Sequence, residues 1–150
     1  MQHLTKCLTI IGAGVMAASP VCADSNPFVV TVGNGPLAGT YNLPAAAVIC
    51  FHSTKRHVYT AAWKDFSPQN AKSIAEVGIE VANPDASGPK VGDVRISFGD
   101  SSKTATVYEV SRQPVSLTVA GKRGDIAFQG KTQDGVRISV RVSCTDTTEM

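Results

Sequence analysis

Residues 136–144 read VRISVRVSC, and the fold class follows from how that stretch alternates. Val136, Ile138, Val140, Val142 and Cys144 fall on one side of an extended chain; Arg137, Ser139, Arg141 and Ser143 fall on the other. Successive side chains of a strand point to opposite faces, so an apolar period of two marks a half-buried β-strand. A helix would scatter the same valines around its axis. The cysteine closes the strand on its core side.

The same period recurs along the chain. Ala75, Val77, Ile79 and Val81 alternate with Glu76, Gly78 and Glu80, and residues 94–98 and 115–119 repeat the pattern. Shorter candidates lie at 28–32, 46–51, 58–63, 104–110 and 125–130. Between them stand Asn83-Pro84-Asp85, Gly88-Pro89, Gly92-Asp93, Gly99-Asp100, Lys122-Arg123-Gly124-Asp125 and Gln133-Asp134-Gly135. Those residue types supply positive φ or side-chain-capped turns. Strands spaced about ten residues apart, with only one segment between them that could be helical, point to an antiparallel arrangement rather than to βαβ units. The expected fold is all-β: an antiparallel β-sandwich or partly open barrel of about 8–9 short strands. Ser67-Pro68 places an N-cap serine before a proline suited to the first helical position, so one short helix is expected near 68–74.

The N-terminus reads as an export signal over residues 1–23. His3 and Lys6 precede an apolar run at 8–18, which Ser19 and Pro20 end. A run of that length is too short for a transmembrane helix, which needs about 20 residues. Val21 and Ala23 are the small residues that signal peptidase requires, so cleavage is expected between Ala23 and Asp24. A lipid-anchor motif wants a Leu-like residue three before its cysteine and Gly or Ala directly before it. Cys22 has Ser19 and Val21 there, so lipidation and membrane attachment are not expected. The remaining 24–150 is the size of one domain with its own core, secreted or held in the cell envelope.

Charge excludes one class of partner. The chain has fourteen Lys and Arg against twelve Asp and Glu, and loss of Lys6 with the signal leaves it near neutral. Its basic runs, Lys55-Arg56-His57 and Lys122-Arg123, are short and lie between strands, so no nucleic acid is expected as a partner. Of four cysteines, Cys7 and Cys22 fall in the signal and Cys50 and Cys144 remain. An even pair in an oxidising compartment points to one disulfide, Cys50–Cys144, pinning the first and last strands together. Two separate buried thiols are the alternative.

Candidate chemistry is sparse. His52 and His57 bracket a turn, but a zinc site needs three or four ligands and no third is at hand. No G-x-S-x-G elbow is present for a serine hydrolase. Asp93, Asp100, Asp125 and Asp134 each adjoin a glycine, as turns require. The glycines at 33, 35 and 39 lack the lysine and hydroxyl of a phosphate-binding loop. No catalytic, metal-binding or cofactor-binding residue is expected, and no cofactor.

Some of these residues carry a resemblance. Residues 46–50 (AAVIC) after a short first strand, a β-rich middle, residues 125–130 (DIAFQG) and a closing VRVSC at 140–144 resemble the mycobacterial LpqH-type surface lipoproteins, the nineteen-kilodalton antigen family. The matching motifs are Val48-Ile49-Cys50 and Val142-Ser143-Cys144. The resemblance spans roughly 28–144 and implies a disulfide-linked envelope domain, exposed to host immunity, without enzymatic activity and with a protein or host-surface partner. Members usually carry a lipidated cysteine and a Ser/Thr/Gly/Ala-rich tether; here no tether separates Ala23 from Phe28. Two rival expectations stand beside this one: a carrier of a small apolar ligand or lipid between its sheets, and a secreted enzyme or enzyme inhibitor.

Overall fold

A computed structural model of the chain describes residues 27–99 and 105–150. The expected signal, Cys22, the Ala23–Asp24 cleavage point, Asp100 and Thr104 lie outside the described residues. The fold is nearly all β: ten strands in one sheet that curls into a half-barrel. They are β1 (Phe28–Val32), β2 (Gly39–Leu43), β3 (Val48–Ser53), β4 (Val58–Lys64), β5 (Ile74–Ala82), β6 (Lys90–Phe98), β7 (Thr106–Ala120), β8 (Arg123–Lys131), β9 (Arg137–Cys144) and β10 (Thr148–Glu149).

The order across the sheet is β10-β3-β4-β5-β6-β7-β8-β9-β1-β2. Strands β3 to β9 therefore form one antiparallel meander. The β1–β2 hairpin adds to the far side of β9, with Val30 opposite Val140, and β10 pairs in parallel with β3 at the other edge. Strand β10 follows β9 after three residues yet pairs at the opposite edge of the sheet. Only a strongly curled sheet allows that.

The curl forms at β7. Its first half pairs with β6 and its second half with β8, with Val110 opposite Val94 and Val115 opposite Phe128. Between them the register slips across Gly92 and Val94. Arg112 there takes a left-handed backbone (φ 55°), and its N–H donates to Asp93 Oδ1 at 2.7 Å. Such bulges bend a strand and raise its twist. The result is two facing layers, β3–β6 with the start of β7, and the end of β7 with β8, β9, β1 and β2.

The inward side chains of the two layers form one core. Tyr59, Phe28, Phe98, Phe128, Ile79 and Ile96 are among its largest fully buried members. Tyr41 on β2 packs edge-on against Phe98, which packs edge-on against Tyr108 of β7, with centroids 5.2 and 5.8 Å apart. Edge-to-face aromatic pairs add about 0.5–1.5 kcal/mol beyond their buried area. At the other end the Tyr59 phenol shares a 2.7 Å hydrogen bond with Thr147 Oγ1 and presses onto Gly124 of β8, where any Cβ would collide with its ring.

Several expectations change in detail. The segment expected as a short helix near 68–74 is bends and a turn, because Asn70 Oδ1 accepts the Lys72 N–H locally and β5 begins at Ile74. The short 3-10 turn falls instead at Ala45–Ala47, inside what read as strand 46–51, and β3 starts at Val48. Gly92 and Gly124 lie within strands rather than turns. The two strands expected at 104–110 and 115–119 are one bent strand, β7. The disulfide joins Cys50 to Cys144 as expected, with Cα atoms 6.1 Å apart. Its strands, however, are the third and the ninth, since β1 already pairs with β9 through the backbone. The bond links the two layers across the core.

Candidate functional site

The strongest candidate is a groove on the outer face of the first layer. Outward positions on these strands are Thr60 and Lys64 on β4, Glu76, Gly78 and Glu80 on β5, Asp93, Arg95 and Ser97 on β6, and Val107, Glu109 and Ser111 on β7. Pairing places Gly78 opposite Arg95 and Arg95 opposite Glu109. Arg95 Nε meets Glu109 Oε1 at 3.5 Å. At the centre of β5, Gly78 leaves a gap: a Cβ there would meet no atom within 4 Å. A glycine inside a central strand weakens it and often marks a place where another backbone or a ligand comes close.

Three surface cavities meet at Arg95. One, of about 450 Å³, lies over Gly78 between Thr60, Glu80, Asp93 and Glu109. A second, of about 440 Å³, runs toward Phe66, Pro68, Ala105 and Val107. A third, of about 580 Å³, continues past Ser111 to the β8–β9 turn. The groove thus has an apolar end, an arginine at its middle and an acidic, hydroxylated end. Phe66 at the apolar end is 85% exposed, with Lys64 Nζ 5.3 Å from its ring centroid. An aromatic ring left that open to water is a ready contact for a partner.

Of the residues singled out in the sequence, Asp93 and Asp134 line the groove, whereas the histidines and Asp125 fall elsewhere. His52 Nε2 lies 3.1 Å from Asp85 Oδ2, at the edge formed by β3 and the β5–β6 turn. His57 sits in the β3–β4 turn with φ 54°, its carbonyl accepting the Asn83 N–H. Ser53, beside His52, is buried, and its hydroxyl accepts the Arg56 N–H. A histidine and an aspartate are therefore brought together, but the adjoining serine serves the turn, and none of the cavities described is lined by His52, His57 or Asp85. Asp93 and Asp125 hold structure: Asp93 caps the β7 bend, and Asp125 Oδ1 accepts from Ser143 Oγ at 2.7 Å.

Among the described residues, no group of three or more His, Cys, Asp or Glu could hold a metal ion. Nor, among them, is any helix long and apolar enough to cross a membrane. The groove was not legible in the sequence as a site. Gly78 inside an otherwise regular alternation is the one signal that pointed to it.

Comparison with protein-family models, curated proteins and solved structures found no match to this chain. The functional reading therefore rests on the chain's own geometry.

Proposed function

We propose that this protein is an exported, non-enzymatic β domain of the cell envelope or the secreted fraction, which binds a protein partner along the Gly78–Arg95 groove. The observation that carries the binding reading is Gly78: a central-strand position kept without a side chain, beneath open space, beside a charged pair and an exposed aromatic ring. Export is supported by the apolar N-terminal run and by a disulfide, a bond that persists in oxidising compartments. A carrier of apolar ligands fits less well, since the inward side chains fill the space between the layers.

Two measurements test the reading. Expressed with its own N-terminus and recovered outside the cytoplasm, the chain should begin at Asp24 and weigh two hydrogens less than its dithiol form. Retention in the cytoplasm, or a lipid mass on Cys22, would overturn export or release. For binding, a benzophenone amino acid placed at Gly78 in the producing or host-contact setting should yield a discrete crosslinked species. The same probe at Thr118, outward on the opposite layer, should not. Adducts at both positions, or at neither, would sink the groove.

A further inference from the structure

The outer face of the second layer carries a separate feature. Lys131 on β8 and Arg137 on β9 stand directly opposite each other and both point outward. Like charges in that register repel. Their next outward neighbours along the strands, Gln129 and Ser139, are uncharged. Asp134, in the turn between them, borders Lys131 in the neighbouring cavity, but among the described residues it forms no ion pair with either cation.

Arg137 is held in place. Its backbone N–H donates to Asn34 Oδ1 at 2.8 Å, and its Nη2 reaches Gly33 O at 3.4 Å. The guanidinium lies over Gly33, where a Cβ would come within 3.2 Å of Nε. The β1–β2 turn thus holds the Arg137 side chain across from the Lys131 strand position.

Both open onto a cavity of about 520 Å³. Its other polar walls are the amides of Gln113 and Gln129 and the hydroxyls of Thr31 and Ser139, and no carboxylate lines it. One held and one mobile cation at paired strand positions suit one oxyanion, with charge-assisted hydrogen bonds from both. Amides and hydroxyls around them suit the alcohols of whatever carries that anion. We propose that this cavity binds an acidic saccharide, its carboxylate or sulfate seated between Lys131 and Arg137. The site shares neither Gly78 nor Arg95 with the groove, although Gln113 and Lys131 also border the groove's third cavity.

The test is an amide chemical-shift titration of the isotope-labelled full chain at fixed ionic strength. The probes are glucuronic acid, glucose 6-sulfate, inorganic sulfate and glucose. The acidic sugars should produce saturable shifts centred on Gly33, Gln113, Lys131 and Arg137, with glucose weaker by about tenfold or more. Lys131→Gln, at an exposed position, should weaken the acidic sugars by about tenfold, the loss expected for one charge-assisted contact. Arg123→Gln, on the same strand but paired with Asp125, should leave them unchanged. Unsaturable shifts, or equal weakening by Arg123→Gln, would overturn the site. Inorganic sulfate binding as tightly as the acidic sugars would overturn the saccharide assignment.

Discussion

Tyr59 is the largest fully buried side chain of the core, and its hydroxyl is where the two layers meet polar chemistry. Burial, chiefly, raises its pKa above the ordinary tyrosine value; the Asp125 carboxylate pushes the same way, and the Thr147 hydrogen bond opposes them. Tyr41 is raised as well, by burial and then by Tyr108. A folded pKa above the unfolded one gives stability that is fully present below the unfolded value, near 10, and lost as pH rises through the folded value. Urea midpoints should therefore hold up to about pH 10 and fall beyond it. Tyr59→Phe should flatten that fall. At neutral pH the same change should cost about 1 kcal/mol, since it leaves the buried Thr147 hydroxyl without its partner. An unchanged alkaline slope in the variant would rule Tyr59 out as its source.

At the scale of elements, β7 decides the architecture. A straight strand through residues 106–120 would extend one flat sheet, whereas the bend at 111–114 folds the second half of the meander over the first. Asp93 secures that bend by accepting the Arg112 N–H. Asp93→Ala should cost about 1 kcal/mol, at the low end for a charged acceptor because the bond is exposed, and should speed amide exchange around residues 110–115. Exchange spread evenly over the sheet would locate the bend's support elsewhere. The bend also explains why the sequence read β7 as two strands: Ser111-Arg112-Gln113-Pro114 interrupts the alternation, and only the pairing on each side makes the halves one element. β2 and β10 were illegible for a related reason. GTYNL at 39–43 alternates only over Tyr41 and Leu43 and TE at 148–149 has no apolar residue, and as edge strands they form by borrowing hydrogen bonds from β1 and β3.

Across the whole molecule, the Cys50–Cys144 bond closes a loop over a sequence separation of 94. The chain-entropy account assigns such a loop on the order of 4–5 kcal/mol. Reduction, or the double change Cys50→Ser with Cys144→Ser, should lower the unfolding free energy by that order and raise the m-value, because the uncrosslinked denatured chain exposes more surface. A much smaller loss would mean that Tyr59, Thr147 and the aromatic packing at Phe98 hold the layers together without it. The bond acts with the β9–β10 connection at the same end of the molecule, where the Thr147 N–H donates to Lys122 O and the Met150 N–H to His52 O.

By itself the sequence determined which face of each long strand is buried, where most hairpin turns fall, and which two cysteines were left to pair. Those are local properties: the two-residue period and the turn chemistry of glycine, asparagine and aspartate act within a few residues of chain. Only the tertiary structure decided that the cysteines lie on β3 and β9, that β10 crosses to the far edge, and that Gly78 faces Arg95. It also decided that Lys131 stands against Arg137 beside the β1–β2 turn. Each of these joins residues from separate strands. Strand order and register come from non-local pairing and from the curl set at β7, which no local pattern encodes.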